Sequence, residues 1–467
     1  MSFAECELAI LRANVEEIET KQSKELASSK EIMEMVTVVE EFLRKRRLVC
    51  YGGTAVNNIL PKEVQFYNKE LEVPDYDFYS PNALEDAKIL ADIFHEKKFS
   101  DVQATAGVHY GTYKVFVNFI AIADITFLHP SIFKSMTKEA IEMDGILYCP
   151  PNFLRMNMYL ELSRPAGDVS RWEKIYKRLT LLNEHYPFDI PNKCNRLDFK
   201  QSNQSSGRLY DEIRNALIDN GVVFFGGYAA RLYSQHMPKK QKDMIRKIPD
   251  FDVLSESYEH CANMLLERLK LKGFNATKRH YDGVGEITPE RIDILMKNRV
   301  MVSIYKPIAC HNYNVISIEK RDVKVATLET ILSFYLAFYY ADHPKFSKDR
   351  LMCMCKFLFE LRKSQKKTGL LQKFSMTCYG TQPTLETIRA EKMRKFEELR
   401  EKRGTAEYDE WFLKYVPSRT EKTHVKKTTK KQRPVRKRNT EKKKRRTTEK
   451  NIGRNKHRGT SSIITGW

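Results

Sequence analysis

The chain has 467 residues, of which 42% are hydrophobic and 11% aromatic, enough for two or three packed domains of about 150 residues each. This composition excludes a wholly disordered or collagen-like chain. The net charge of +21 is unevenly distributed, because residues 419–458 hold 19 Lys or Arg against three Glu. We therefore expect a mildly basic globular body followed by a polybasic segment.

Nine cysteines are scattered along the sequence, without a CxxC pair or a Cys/His cluster of zinc-binding spacing. Since most lie in apolar runs, we expect reduced, buried thiols, as in a cytosol-like compartment. The start of the sequence lacks the basic and apolar regions of a signal peptide. The most apolar segment, Ile331–Ala341, is about half as long as a membrane span. A soluble, intracellular protein is the expectation.

Two parts of the sequence are similar to each other. LVCYGGTAVNNILP, which begins at residue 48, is similar to VVFFGGYAARLYSQ, which begins at residue 222. The offset from Gly52 to Gly226 is 174 residues, and the offset from Asp75 to Asp250 is 175. A nearly constant offset over some fifty residues predicts a duplicated domain.

The spacing of apolar residues predicts the same succession of elements in each copy. A helix leads into a short apolar strand that ends at Gly-Gly, and a second helix follows the glycines. A strand with a D-x-D pair comes next, then a helix, then further strands, one of which carries a single Asp (Asp124 or Asp293). Each copy is then a mixed sheet flanked by helices, so the fold class is α+β.

We predict four segments along the chain. A catalytic domain covers residues 1–195, and a second, related domain covers residues 196–385. Residues 386–416 form a charged helix with few apolar positions, which we expect to project from the body. Residues 417–467 have no periodicity and should be a disordered polybasic tail.

Three carboxylates of the first copy can come together. Asp75 and Asp77 lie two residues apart on a strand, so their side chains share one face. Asp124 lies in the apolar run FIAIADITF, where a charge without a partner would be costly. Hard oxygen ligands suit Mg²⁺ or Mn²⁺, and three carboxylates can hold two such ions about 4 Å apart for phosphoryl transfer.

Gly52, Gly53 and Thr54 lie where a strand ends and a helix begins. Glycine allows the backbone to approach a ligand closely. The helix N-terminus offers N–H donors to phosphate, and the Thr54 hydroxyl is a further donor. Gly-Gly-Thr followed by D-x-D and then by a third strand Asp is therefore a composite pattern that predicts nucleotide chemistry.

This composite resembles the signature of the nucleotidyltransferase superfamily that is similar to DNA polymerase beta. Within it, YGGTAVNNILP, PDYDFYS, ADITF and LSRPAGDVSRWEKIYKRL resemble the poly(A) polymerase catalytic subunits of large cytoplasmic DNA viruses. Giant-virus members are closest and poxvirus members more distant. The resemblance covers roughly residues 30–385.

The resemblance implies template-independent addition of AMP from ATP to mRNA 3′ ends, with release of pyrophosphate. It implies two Mg²⁺ or Mn²⁺ ions, RNA as the partner, no membrane, and location in the host cytoplasm (virus factory) and the virion. A homodimer or a separate processivity subunit are both compatible with it. The implied catalytic and metal-binding residues are Asp75, Asp77 and Asp124, of which the last helps to activate the 3′-hydroxyl. The implied nucleotide-binding residues are Gly52, Gly53, Thr54, Arg164, Arg171 and Lys174.

Two other readings remain open. A terminal uridylyltransferase or an oligoadenylate synthase would keep the chemistry and change the nucleotide or the acceptor. A non-catalytic RNA-binding scaffold would have two degenerate copies. We also expect only the first copy to be active, because Tyr228 replaces Thr54 and the apolar LETILSFYLAFYY replaces the basic segment of the first copy.

Overall fold

The computed structural model describes residues 29–67, 74–188, 207–234, 250–285, 287–364 and 374–417. Within these residues the chain forms two eight-stranded mixed sheets with helices packed on them, which confirms the predicted α+β class. Both sheets lie within one compact unit, Met1–Thr420. The segment predicted to be a disordered tail lies almost entirely outside the described residues. The division into domains 1–195 and 196–385 stays a prediction.

The first sheet is centred on two parallel strands that carry the acidic motifs. Its strands are β1 (Val49–Cys50), β2 (Tyr76–Ser80), β3 (Gln103–Ala106), β4 (Thr112–Val117), β5 (Ile120–Phe127), β6 (Ile141–Met143) and β7 (Ile146–Tyr148), with β16 (Lys414–Tyr415) added at one edge. They lie in the order β16-β3-β4-β5-β2-β1-β7-β6. Strands β2 and β5 are parallel, whereas β4 and β1 run antiparallel to these neighbours.

The second sheet repeats this arrangement. Its strands are β8 (Val223–Phe225), β9 (Phe251–Leu254), β10 (Thr277–Tyr281), β11 (Arg291–Met296), β12 (Arg299–Tyr305), β13 (His311–Ile318), β14 (Arg321–Ala326) and β15 (Cys378–Tyr379). They lie in the order β10-β11-β12-β9-β8-β14-β13-β15. Strand by strand, β10 to β12 correspond to β3 to β5, β9 to β2, and β8 to β1. The duplication predicted from the sequence is therefore also a duplication of strand order.

Thirteen helices of the described residues accompany the sheets. They are α1 (Lys30–Arg46), α2 (Gly52–Ile59), α3 (Ala83–Glu96), α4 (Pro130–Thr137), α5 (Pro151–Leu162), α6 (Trp172–His185), α7 (Gly207–Asp219), α8 (Gly226–Tyr233), α9 (Tyr258–Leu271), α10 (Leu328–Tyr340), α11 (Lys348–Ser364), α12 (Leu385–Leu399) and α13 (Ala406–Phe412). In α1, residues Ile32, Met35, Val39 and Leu43 recur at helical spacing and are buried. An apolar stripe of this kind explains why the helix packs on the core.

The two copies meet through equivalent helices. Helix α5 of the first copy packs along α10 of the second, with the rings of Phe153 and Tyr340 5.0 Å apart. Every residue of α10 except Tyr339 is buried. The apolar stretch LETILSFYLAFYY is therefore a packing element, as the sequence predicted.

The segment predicted as one charged helix over residues 386–416 consists of two helices and a short strand, which corrects the expectation. Helix α12 is mostly exposed, but the chain then returns to the first sheet. Strand β16 pairs antiparallel with the edge strand β3, and Leu413 is buried beside it. The Tyr415 hydroxyl donates a hydrogen bond to Asp92, 2.6 Å away. The edge of β3 is thereby covered, which removes an open row of backbone groups.

The expectation of wholly reduced cysteines is wrong. Cys310 and Cys378 form a disulfide between the adjacent strand ends of β13 and β15, with Cα atoms 5.2 Å apart. The two residues are 68 positions apart, so only the pairing of these strands brings them together. Cys50, Cys149, Cys261 and Cys355 are free and buried, as expected. No helix of the described residues is long and apolar enough to span a membrane.

Candidate active site

The glycine turn between β1 and α2 lies directly against the D-x-D strand. Gly52 has φ +74°, and a Cβ atom there would lie 2.6 Å from Oδ2 of Asp77, so only glycine fits without displacement. The Tyr51 amide donates a hydrogen bond to the Asp77 carbonyl oxygen (2.8 Å). The Thr54 hydroxyl donates to the Asp75 carbonyl oxygen (2.7 Å). The start of α2 is therefore fixed against the first residues of β2.

The strand register brings two of the predicted carboxylates together. Asp77 on β2 lies directly opposite Asp124 on the parallel strand β5, and both side chains are half-buried. Asp75 lies just before β2 and is exposed. Residues i and i+2 of a strand share a face, so Asp75 is directed to the same side of the sheet. The structure thus gathers Asp75, Asp77 and Asp124 at one place next to Gly52.

The three carboxylates repel one another. Burial, then Asp75 and Asp124, raise the pKa of Asp77 from 3.8 to about 7. Partial burial of the carboxyl group, then Asp124, also raise the pKa of Asp75, although the residue as a whole is exposed. A cation at this place would relieve both effects, since it favours the charged form of each carboxyl group.

A lysine ammonium group already pairs with one of the three carboxylates. Lys114 on β4 lies opposite Asp124, and its Nζ atom is 2.5 Å from Oδ2 of Asp124. Within the part of the chain that the structure describes, no three Asp, Glu, His or Cys side chains are placed as a closed metal site. The donor set nevertheless suits a hard divalent ion, because carboxylate oxygens converge there and a cation would offset the burial and the mutual repulsion that raise the pKa of Asp77. Lys114 pairs with Oδ2 of Asp124 and would compete with such an ion for this carboxylate.

The basic residues predicted for nucleotide binding lie near the carboxylates or near Glu161 of α5. The positive charge of Lys174 on α6 opposes the rise in the pKa of Asp75, and that of Arg171, just before α6, opposes the rise in the pKa of Asp77. Arg171 also forms an ion pair with Glu161, at 3.3 Å. Burial raises the pKa of Glu161, and the charges of Arg171 and Arg164 both oppose that rise. Contact of these side chains with a nucleotide stays a prediction.

Sequence reasoning missed Lys114 and Arg178. Arg178 on α6 is 9% exposed, and its guanidinium donates a hydrogen bond to the Tyr67 hydroxyl (2.6 Å). A Cβ atom on Gly53 would lie 2.9 Å from this guanidinium, so Arg178 lies directly beside the glycine turn. A cation next to a helix N-terminus strengthens an anion site. Its position in the basic segment WEKIYKR was a signal that the sequence analysis did not use.

The second copy lacks the third carboxylate, which corrects the alignment of Asp293 with Asp124. Asp252 on β9 lies opposite Ser303 on β12, so Ser303 takes the place of Asp124. Asp293 lies one strand further away, on β11, opposite Ser303, where the first copy has Lys114. The single Asp was assigned to the wrong strand, because the sequence similarity has faded beyond the D-x-D helix.

The acids that remain in the second copy are each matched by a nearby cation. The Lys345 ammonium is 2.6 Å from Oδ1 of Asp252, which is buried, and the Lys345 side chain is only 10% exposed. Arg291 lies 3.2 Å from Asp293. Arg299 lies 3.7 Å from Asp250. Each of these three carboxylates is thus paired with a cation from the same copy.

A mixed sheet with a Gly-Gly turn against paired strand carboxylates defines the nucleotidyltransferase class of fold. Residues 37–168 match the family model described as poly(A) polymerase catalytic subunit. This range contains the glycine turn, all three carboxylates and Arg164, and it ends before Arg171. The solved structure of the Megavirus polyadenylate synthase matches 89% of this chain and 86% of its own, with a TM-score of 0.74 at 20% identity. That likeness shows the fold.

Curated relatives agree with the family model. Proteins provisionally named poly(A) polymerase catalytic subunits from African swine fever virus are 32% identical over 183 residues, which is 38% of this chain and 38% of theirs. A mimivirus protein of the same name is 32% identical over 194 residues, 40% of this chain and 32% of its own. The matches thus span about a third of these relatives. They confirm the resemblance of this chain to poly(A) polymerases of large DNA viruses.

Proposed function

We propose that the protein is a template-independent poly(A) polymerase that transfers AMP from ATP to the 3′ end of RNA. The observation that carries the proposal is the register pair Asp77–Asp124 beside Asp75 and the Gly52 turn. This arrangement matches the catalytic requirement of nucleotidyl transfer, since it offers carboxylates for divalent ions next to a backbone site for phosphate. The poly(A) assignment rests on the family model, whose matched range holds these residues.

Each group of residues has its own role in the proposed reaction. Asp75, Asp77 and Asp124 would hold two Mg²⁺ or Mn²⁺ ions, which when bound stabilise the charge on the attacking and leaving oxygens. Asp124 lies beside the position for the acceptor 3′-hydroxyl and favours loss of its proton. The amides at the start of α2 bind the triphosphate. Arg178 adds positive charge at that turn, and Lys174 and Arg171 add it at the carboxylates.

Thr54 has a more indirect role in this proposal. Its hydroxyl donates to the Asp75 carbonyl oxygen, so it orients the glycine turn relative to β2. Arg164, whose charge acts on Glu161 together with that of Arg171, is a further candidate for nucleotide binding. The second copy, without a third carboxylate, is proposed to be inactive and to support the first through the α5–α10 contact.

We propose RNA and ATP as substrates, and the host cytoplasm and the virion as the locations. The name catalytic subunit carried by the relatives leaves both a homodimer and a separate processivity subunit as candidate assemblies. Residues 418–467 lie outside the described residues, and their high positive charge suits non-specific RNA binding.

Primer extension tests the function. The full chain is incubated with Mg²⁺, a labelled RNA oligonucleotide and each of the four ribonucleoside triphosphates in turn. We expect extension with ATP at the expense of the other three. A preference for UTP would identify a uridylyltransferase, primer-free oligomers from ATP would identify an oligoadenylate synthase, and RNA binding without incorporation would identify a scaffold.

A further inference from the structure

A chain of three side-chain hydroxyls lies beside Asp124 on the first sheet. Thr126 follows Asp124 by two residues on β5, so both side chains share one face. The Thr126 hydroxyl is 2.9 Å from the Tyr51 hydroxyl and 3.2 Å from the Thr112 hydroxyl on β4. All three residues are half-buried, as are Asp77 and Asp124. The hydroxyl chain therefore continues the carboxylate cluster along the sheet.

These hydroxyls retain hydrogen-bonding capacity for a ligand. A hydroxyl has one donor and two acceptor sites, so two mutual hydrogen bonds leave a donor and several acceptors unused. The Tyr51 ring is held by stacking on Tyr79, with ring centroids 3.9 Å apart. Asn157 of α5 donates a hydrogen bond to the Tyr79 hydroxyl (3.2 Å). These contacts hold the Tyr51 ring, and with it the Tyr51 hydroxyl, in place.

The second copy shows that the fold itself does not need the hydroxyls. The strand register places Phe225, Tyr305 and Arg291 at the positions equivalent to Tyr51, Thr126 and Thr112. Phe225 and Tyr305 are fully buried, with ring centroids 5.2 Å apart, and Arg291 is 7% exposed. A packed aromatic pair thus fills these places in the copy that lacks the third carboxylate. The open hydroxyl chain occurs only beside the complete carboxylate set.

We propose that the Tyr51–Thr126–Thr112 hydroxyl chain binds the ribose of the acceptor's 3′-terminal nucleotide. Two residues of a strand span about 6.7 Å. Two hydrogen bonds of about 2.8 Å each, with a vicinal pair of hydroxyl oxygens between them, give a path longer than this backbone span, so one ribose can reach both side chains. The 3′-hydroxyl then lies at Asp124 and the 2′-hydroxyl at the threonines. This subsite rests on the proposed function, and it explains how an RNA end is distinguished from a DNA end.

Competition between matched primers tests the subsite. The full chain extends an RNA primer and the same primer with a 2′-deoxyribose at its last position, and the two kcat/KM values give an acceptor preference. Thr126→Val is expected to lower the preference for the ribose end about tenfold, since one hydrogen bond is lost. Thr126→Ser, which keeps the hydroxyl, should restore it. Tyr51→Phe, which keeps the stacked ring, gives a second variant with an expected decrease.

Thr37→Val on α1 is the control, because the Thr37 hydroxyl only donates to the Met33 carbonyl oxygen of its own helix. A parallel measurement compares ATP with dATP on the RNA primer. A change in that ratio with an unchanged acceptor preference would assign the hydroxyls to the incoming nucleotide and overturn the proposal. No change in either ratio would make them structural and overturn it as well. A wild-type chain that extends neither primer would instead overturn the proposed function, and the subsite with it.

Discussion

Lys114 and Asp124 face each other across β4 and β5, with the ammonium group 2.5 Å from the carboxylate. The lysine thus pairs with one of three neighbouring acids. At the equivalent places the second sheet has Asp293 and Ser303, so it lacks both the lysine and the carboxylate. If the carboxylates of the first copy hold divalent ions, as proposed, Lys114 competes with the metal for Asp124.

Replacing Lys114 with methionine is expected to raise the affinity of the free protein for Mn²⁺. A partly exposed ion pair is worth up to about 1 kcal/mol, which corresponds to an increase of about fivefold when the competing cation is removed. Titration calorimetry of wild type and Lys114→Met checks this. Lys278→Met, on the exposed strand β10, is the control. Unchanged or weaker Mn²⁺ binding in the Lys114 variant would contradict the competition.

Asp77→Asn is expected to lower the rate of AMP incorporation at least about a hundredfold, since loss of one electrostatic group commonly costs about 3 kcal/mol in the transition state. Because burial and its acidic neighbours raise the pKa of Asp77 to about 7, the uncharged amide relieves repulsion. The melting temperature should then stay equal or rise. Primer extension together with thermal melting separates lost chemistry from lost folding, with the exposed Asp101→Asn as control. Near wild-type incorporation would refute the assignment.

In the second copy, Asp252→Ala is expected to damage folding rather than catalysis. The change leaves the Lys345 ammonium buried without its carboxylate, a cost of about 3–5 kcal/mol in the free energy of unfolding. The double variant Asp252→Leu with Lys345→Met removes both charges and should recover most of this stability. Denaturant unfolding measures the stabilities, and primer extension measures the activity. If the folded double variant has lost AMP incorporation, the second copy is catalytic.

Two buried histidines predict a loss of stability in mild acid. Burial lowers the pKa of both His311 and His343 from 6.5 to about 3 in the folded chain. Between these pH values the two histidines bind protons in the unfolded chain but not in the folded chain. Their contribution to the free energy of unfolding therefore falls as pH falls from 6.5 towards 3. Each histidine contributes a loss of about 1.4 kcal/mol per pH unit. The raised pKa of Asp77 offsets about one such contribution, because between pH 7 and 3.8 the folded chain holds a proton there that the unfolded chain releases. Denaturant unfolding at pH 6.5 and pH 5 measures it.

His311→Leu should lower the slope of the free energy of unfolding against pH by about 1.4 kcal/mol per pH unit, the contribution of one histidine. The leucine is tolerated because His311 lies in an apolar contact with Phe334, at 5.1 Å between ring centroids. The exposed His109→Leu should leave the dependence unchanged. Equal slopes for wild type and His311→Leu would mean that His311 takes up its proton in the folded state.

A chain ended at Pro417 is expected to bind RNA with a flatter dependence on salt. Residues 419–458 hold 19 Lys or Arg, and each phosphate that they neutralise contributes about 0.7 to the slope of log K against log salt on a single strand. Fluorescence anisotropy with one RNA oligonucleotide at several salt concentrations gives both slopes. AMP incorporation on a saturating primer should persist. Identical slopes would exclude the segment as an RNA contact.

The duplication, the α+β class and the grouping of three carboxylates beside a glycine turn could be predicted from the sequence. These features are local, because Gly52-Gly53-Thr54 and Asp75-x-Asp77 lie within short stretches whose backbone geometry follows from glycine and from the two-residue period of a strand. Asp124 could also be found, since a charge within an apolar strand is costly without a partner.

Which strands lie side by side could not be predicted from local sequence patterns. The third acid of the second copy is absent because β12, not β11, pairs with β9, and this places Ser303 opposite Asp252. Lys345 reaches Asp252 from 93 residues away, and Cys310 reaches Cys378 from 68. Strand pairing between distant segments depends on the packing of the whole sheet rather than on any local spacing. For the same reason Tyr51, Thr112 and Thr126, separated along the chain, become neighbours only once β1, β4 and β5 share one sheet.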